Sequence, residues 1–167
     1  AYWISGMDLF DAICHAFSTI AIGGFSPYDA SIGYFDSVTI ESVAIIFMIV
    51  SGMNFSLHFI AWHNNSVRHY LHDPEWKSYL LFLFTLSMLI SLVLVASDTY
   101  AVNEAFRKGI FETVSIATTT GFTTSDFVTW PTFIPFLLLM SAFIGACAGS
   151  TGGGIKIIRL LLLYKQG

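Results

Sequence analysis

Charged side chains are scarce. Asp, Glu, Lys and Arg together make up 11% of the 167 residues, against 55% hydrophobic. A soluble domain carries roughly 25% charged residues, so this composition excludes an ordinary water-soluble globule and places the chain in a lipid bilayer. Cysteine is nearly absent. Cys14 and Cys147 are the two present. They sit in different parts of the chain, which argues against a disulfide or a metal site and for packing roles. No secretory leader is visible, because the chain opens Ala1-Tyr2-Trp3-Ile4 without a methionine or a basic segment. It closes on Lys165-Gln166-Gly167 directly after an apolar run. The expectation is an internal piece of a longer protein.

Common catalytic signatures are missing as well. The glycine run Gly149-Ser150-Thr151-Gly152-Gly153-Gly154 is followed by Ile155 and Lys156. A phosphate-binding loop needs lysine and then Ser or Thr directly after the last glycine, so that reading fails. Ser150 has no helix-borne histidine to pair with, which argues against an intramembrane protease. His58, His63, His69 and His72 fall at a helix end and in a loop rich in asparagine and aspartate. A solvated loop is the better reading than a metal site. No enzyme activity, cofactor or nucleic-acid partner is expected.

What is present is a repeat. Ser18-Thr19-Ile20-Ala21-Ile22-Gly23-Gly24-Phe25-Ser26 can be laid on Ser115-Ile116-Ala117-Thr118-Thr119-Thr120-Gly121-Phe122-Thr123 without a gap. At the same offset, about 97 residues, Ile13 meets Ile110 and Asp29 meets Asp126. That spacing suits a membrane unit of two helices and a re-entrant loop. Irregular backbone at membrane depth is tolerated only where protein buries it or where it lines water. A polar, glycine-bearing loop behind a short helix offers carbonyl and hydroxyl oxygens as cation ligands. A plain linker would account for one copy; two gap-free copies favour an ion filter. Gly24 and Gly121 have no Cβ and suit unusual backbone angles, and Phe25 and Phe122 are expected to point away from the axis and wedge the loops.

The first short helix is expected from Met7 to about Thr19, too short to cross roughly 30 Å of hydrocarbon. Asp36-Ser37 can cap a longer helix from Val38 to Trp62, interrupted by polar Glu41, Asn54 and His58. Ser78 to Ser97 carries no charge and is the clearest candidate span. A second short helix runs from about Val102 to Ala117. The last long helix starts at Pro131, runs from Thr132 to Cys147, breaks at Gly149–Gly154 and resumes from Ile155 to Tyr164. This divides the chain into 1–66, a pore hairpin lacking most of its first helix; 67–77, a cytoplasmic loop; and 78–167, a complete hairpin with a glycine-broken last helix. The fold class is all-α integral membrane, built of repeated helix–pore helix–filter–helix hairpins.

Charge orients the unit. The side bearing the filters holds Asp8, Asp11, Asp29, Asp36, Glu41, Asp98, Glu104, Glu112 and Asp126, whereas Arg68, Lys77, Lys156, Arg159 and Lys165 gather on the other. The positive-inside bias puts the basic side in the cytoplasm, with the filters facing outward. Carboxylates around an entrance concentrate cations. Three successive glycines cost helix stability at about 1 kcal/mol each. A gate under the filter explains Gly149, Ser150, Thr151, Gly152, Gly153 and Gly154 better than close helix packing through small residues does. Lys156 and Arg159 either snorkel to headgroups or face the inner vestibule.

At Phe10 to Ser26, Ala117 to Phe122 and Gly149 to Lys156 the chain resembles the Trk/Ktr/HKT superfamily of potassium transporters, most closely its bacterial Trk-type membrane subunits. Three separate motifs fall in family order, and the resemblance covers essentially the whole chain. It implies four hairpins around a pseudo-fourfold pore in the full protein, of which these look like the second and third. It implies potassium coordination by the filter carbonyls, carried over to Ile22, Gly23 and Gly24 and to Thr119, Thr120 and Gly121, with Gly149–Gly154 as the intramembrane gate. Potassium is then the substrate, not a cofactor. A homodimer in the bacterial inner membrane and a cytoplasmic nucleotide-binding regulatory subunit are further implications. Ile22-Gly23 stands where the second loop has Thr119-Thr120, so the strands are not equivalent. The transport is that of a channel or a symporter; a sodium-permeable or poorly selective cation transporter of the same fold and a non-conducting structural or sensory membrane subunit are the alternatives.

Overall fold

A computed structural model describes residues 1–66, 68–131 and 133–166; Val67, Thr132 and Gly167, which begin or end expected segments, lie outside the described residues. Its helices follow in the order α1 (Leu9–Ile20), α2 (Val38–Ser51), α3 (Phe55–His63), α4 (Arg68–His72), α5 (Pro74–Ala96), α6 (Val102–Ala117), α7 (Phe133–Phe143) and α8 (Ile157–Gln166). Short 3-10 turns at Ser31–Phe35 and Phe127–Thr129 carry the chain away from the two glycine-bearing loops. Among the described residues the only strand-like pairing is an isolated parallel bridge between Ile144 and Ile155.

α5 is long and apolar enough to cross a bilayer. Its start is written locally: Asp73 Oδ1 accepts from Trp76 N at 2.7 Å and Pro74 occupies the first turn, where its missing N–H costs nothing. That cap moves the boundary of the expected 67–77 loop. Residues 74–77 belong to α5, and Arg68–His72 forms a short helix of its own.

The expected continuous helix from Val38 to Trp62 is not continuous. α2 and α3 meet at a bend of 90° across Gly52-Met53-Asn54. Asn54 explains the restart, since its Oδ1 accepts from Ser56 N at 2.9 Å as an N-cap. His58 then turns back, with Nε2 at 3.0 Å from the Val50 carbonyl and Nδ1 at 2.9 Å from the Tyr70 hydroxyl. The final helix breaks earlier than expected, at Phe143 rather than Cys147, because Ile155 N donates to Phe143 O at 2.8 Å and Gly145 N to Ile155 O at 3.0 Å.

Two apolar clusters support these elements. One gathers Leu83, Leu86, Ile90 and Leu94 of α5 with Trp130, Ile134, Leu138 and Cys147. The other gathers Met7, Ala12, Ile32, Ile40, Ala44 and Met48 with Phe111, Val114 and Phe122, so that the second half of the chain fills the core of the first. An ion pair crosses the same boundary. Arg107 on α6 donates from Nε to Glu41 Oε2 and from Nη2 to Glu41 Oε1, each at 2.8 Å, with Asp36 at 2.7 Å.

Candidate functional site

Each short helix runs into its loop through the same C-terminal cap. After α1, Ile22 N donates to Thr19 O at 3.1 Å and Gly23 N to Ser18 O at 2.8 Å. After α6, Thr119 N donates to Ile116 O at 2.9 Å and Thr120 N to Ser115 O at 2.8 Å. This is the Schellman arrangement, whose left-handed residue is usually glycine. Here it is Ile22 (φ 53°) and Thr119 (φ 66°). β-branched residues rarely enter that region, and such strain costs on the order of 1–3 kcal/mol unless the surroundings hold it. The left-handed angles recur two residues on, at Gly24 (φ 68°) and Gly121 (φ 88°). The repeat thus extends from residue type to backbone conformation and hydrogen bonding. The carbonyl ends of both helices, which carry partial negative charge, lead directly into the loops.

The fold brings the loops against each other. A Cβ built on Gly24 would lie 2.1 Å from the carbonyl oxygen of Thr120, so only hydrogen fits at that contact. Beyond it, Gly33 N donates to Thr123 O at 3.0 Å and Thr123 N to Ser31 Oγ at 3.3 Å.

Polar groups behind the loops hold them from within. In the second loop Ser115 Oγ donates to Phe122 O at 2.6 Å, and Thr118 and Thr120 share a hydroxyl contact at 2.7 Å. Buried Glu112 accepts through Oε1 from Thr124 N at 2.7 Å and Ser125 N at 3.1 Å. His15 occupies the corresponding place in the first half. Its Nδ1 lies 2.8 Å from the Asp11 carbonyl and its Nε2 3.0 Å from Ser26 Oγ. A carbonyl only accepts, so Nδ1 carries a proton. Tyr28 donates to Asp11 Oδ2 at 2.8 Å, and the carboxylate pushes its phenol up to about 12.

The two phenylalanines diverge. Phe122 is fully buried against Phe111 and Val114, but Phe25 is 81% exposed. The expected wedge is therefore seen at Phe122 and not at Phe25. Ser18 Oγ likewise is buried without a partner, where its counterpart Ser115 holds Phe122.

The glycine run lies against both loops. Thr151 Oγ1 donates to Ile20 O at 2.9 Å, at the end of α1, and to Ser51 O at 3.3 Å. Gly153 N donates to Thr119 Oγ1 at 2.7 Å. Cys147 N donates to Gly52 O at 2.9 Å and Phe55 N to Gly149 O at 3.0 Å, so the two interrupted helices are bonded to each other at their breaks. Ser150 Oγ donates to Cys147 O at 2.7 Å, and Lys156 Nζ donates to the Gly152 carbonyl of its own loop. Lys156 is half-buried, whereas Arg159 is exposed. The sequence carried no signal for two participants. Gly52-Asn54 reads as part of a helix, and Glu75 reads as part of a polar loop, yet Glu75 Oε1 accepts from Ala148 N at 2.7 Å.

The family model for TrkH, a cation transport protein, matches residues 2–167. The chain is 52% identical over 167 residues to the Trk system potassium uptake protein TrkH of Halomonas elongata and 54% over 172 residues to that of Escherichia coli K12. In both cases the match covers 100% of this chain and 35% of the relative. The Trk system potassium uptake protein TrkG of Escherichia coli K12 is 39% identical over 165 residues, covering 99% of this chain and 34% of its own. Among solved structures, the crystal structure of the potassium transporter TrkH from Vibrio parahaemolyticus superposes with a TM-score of 0.96 at 50% identity. That match covers 99% of this chain and 36% of the other. The chain spans about a third of the length of the curated relatives it matches.

Proposed function

The chain belongs to the TrkH family of cation transport proteins, and from that premise we propose that it forms part of a membrane pore for potassium uptake. The family is one of transporters, not enzymes. Potassium is the substrate, and the two glycine-bearing loops are two strands of the filter that selects it. Carbonyls of Ile22, Gly23 and Gly24 and of Thr119, Thr120 and Gly121 replace part of the ion's hydration shell. The observation that carries this reading is the shared cap: two loops with matching left-handed residues and matching hydrogen bonds meet at Gly24 and Thr120. Two strands do not close a four-sided pore, so the remaining strands come from elsewhere in a longer protein.

Gly149–Gly154 is the gate in this reading. Its bonds to the ends of both filter helices support a position on the far side of the loops from the carboxylate-rich mouth. The filters face outward from the inner membrane, and Lys156 stabilises the closed loop by occupying the Gly152 carbonyl. Arg159 faces the inner vestibule. The full protein acts as a homodimer with a cytoplasmic nucleotide-binding subunit that controls opening.

The test is rubidium uptake into proteoliposomes that hold the complete transporter, with excess sodium or excess potassium outside. Block by potassium and not by sodium is expected. Equal block by both would move the assignment to a poorly selective cation pore, and no uptake in the presence of nucleotide and cytoplasmic extract would favour a non-conducting subunit. In the same assay, shortening the Gly149–Gly154 run should raise flux, since the loop would no longer reach Thr119; unaltered flux would return the run to a packing role.

A further inference from the structure

Glu75 is 6% exposed, in the first turn of α5, and no lysine, arginine or histidine forms an ion pair with it among the described residues. Its carboxylate is held instead by two backbone amides, one just before the glycine run and one in the first turn of α8. Ala148 N donates to Oε1 at 2.7 Å and Ile158 N at 3.1 Å. Ile158 lies in the first turn of α8, so the charge sits at the start of two helices at once, where both dipoles favour an anion. One acceptor thus ties the entry of the glycine run to the helix that follows it. Among the described residues the run's other tertiary bonds reach Ile20, Thr119 and the α2–α3 break, whereas the Glu75 carboxylate joins the residue before the run to α8.

A buried carboxylate is costly to retain for stability alone. A neutral side chain would pack this corner without the desolvation of a charge. What the carboxylate adds is strength and geometry: hydrogen bonds to a charged acceptor are about twice as strong as neutral ones. A strong, single-atom tether at both ends of a glycine-rich loop is what a two-position device needs.

We propose that Glu75 is the latch of the gate, a positioning residue on α5 that holds Gly149–Gly154 closed by accepting from Ala148 and Ile158. The proposal rests on the reading of the glycine run as a gate. Opening then means losing both bonds together, and α8 swings away from α5 as the loop leaves Thr119.

Cys147 supplies a reporter that does not depend on ion flux. It is 1% exposed and adjoins Ala148, so the closed loop protects its thiol. In the complete transporter with its other cysteines replaced by serine, Glu75→Ala should make Cys147 react with a small maleimide roughly tenfold faster and raise rubidium flux by a similar factor, as expected for losing two charge-assisted bonds. Glu75→Gln keeps a neutral acceptor at the same place, with bonds about half as strong, and should fall between the parent and Glu75→Ala on both readouts. Glu75→Asp retracts the carboxylate by one methylene and should show the same rises at smaller size; it is the informative variant if the alanine protein does not assemble.

Unchanged labelling and flux in Glu75→Ala or Glu75→Asp would overturn the latch. Faster labelling with unchanged or lower flux would also overturn it, because Glu75 would then hold structure and not the gate. Glutamine as open as alanine would overturn the hydrogen-bond account. A parent protein that takes up no rubidium would defeat the pore reading instead, while the labelling comparison still reports whether Glu75 tethers the loop.

Discussion

Replacing Gly24 by alanine should abolish selective uptake altogether. The new Cβ would stand 2.1 Å from the Thr120 carbonyl oxygen and 3.0 Å from its carbon, both backbone atoms that no rotamer change can move. The substitution also places a side chain at φ 68°, at a cost of about 1–2 kcal/mol for the left-handed region, and overpacking adds roughly 1–3 kcal/mol. Relief requires the two loops to part, which displaces the carbonyls of both strands. Rubidium uptake should fall by more than about tenfold, the equivalent of 1.4 kcal/mol or more. Gly121→Ser makes the contrasting case. No atom lies within 4 Å of the added Cβ, so the protein should assemble and conduct, with only the strain at φ 88° to redirect the loop. Its expected signature is a lost preference for rubidium over sodium with uptake retained. Unchanged flux ratios in Gly121→Ser, or normal selectivity in Gly24→Ala, would count against these loops as the filter.

Arg107→Met should be the most destabilising change away from the loops. Glu41 is 4% exposed, and both its carboxylate oxygens are held by the one guanidinium at 2.8 Å. Removing the arginine leaves a buried charge without compensation, which costs about 3–5 kcal/mol. Asp36 contributes little, because its side chain is 87% exposed and exposed pairs are typically worth under about 1 kcal/mol. The loss should appear as a clear drop in the thermal unfolding midpoint of the detergent-solubilised protein. The double variant Arg107→Met with Glu41→Leu should recover most of it, since apolar replacement of a buried pair is often neutral. A single variant as stable as the parent would mean that the α2–α6 contact does not desolvate Glu41. The pair also matters for position: it fastens the second short helix to the first long one, and so sets the distance between the two loops that α1 and α6 carry.

Local features of this architecture were readable before any coordinates. The repeat placed Ser18 over Ser115 and Gly24 over Gly121, and the same offset reappears in the caps, down to the acceptors Ser18 and Ser115. The start of α2 follows Ser37 as expected, although its side chain makes no capping bond, whereas the start of α5 at Pro74 falls in the expected loop and is fixed by the Asp73 cap. Ile22 and Thr119 were less legible. Each sits where a cap normally calls for glycine, and a β-branched residue there gives no sign of a left-handed backbone. The bend at Gly52–Asn54 was hidden for a related reason. Apolar runs flank it on both sides, and the asparagine reads equally well as a polar interruption of one helix or as the cap of a second.

Composition, periodicity and the duplicated segment by themselves determined that this is an α-helical membrane chain with two polar loops behind short helices. Those signals lie in residue types and their order along the chain, so a linear reading captures them. Tertiary structure alone decided what the loops and the glycine run touch. Gly153 reaches Thr119 across 34 residues, Ala148 reaches Glu75 across 73, and Thr151 reaches Ile20 across 131. A polar group in a packed fold finds its acceptor wherever packing supplies one, and nothing in the residues around it names which.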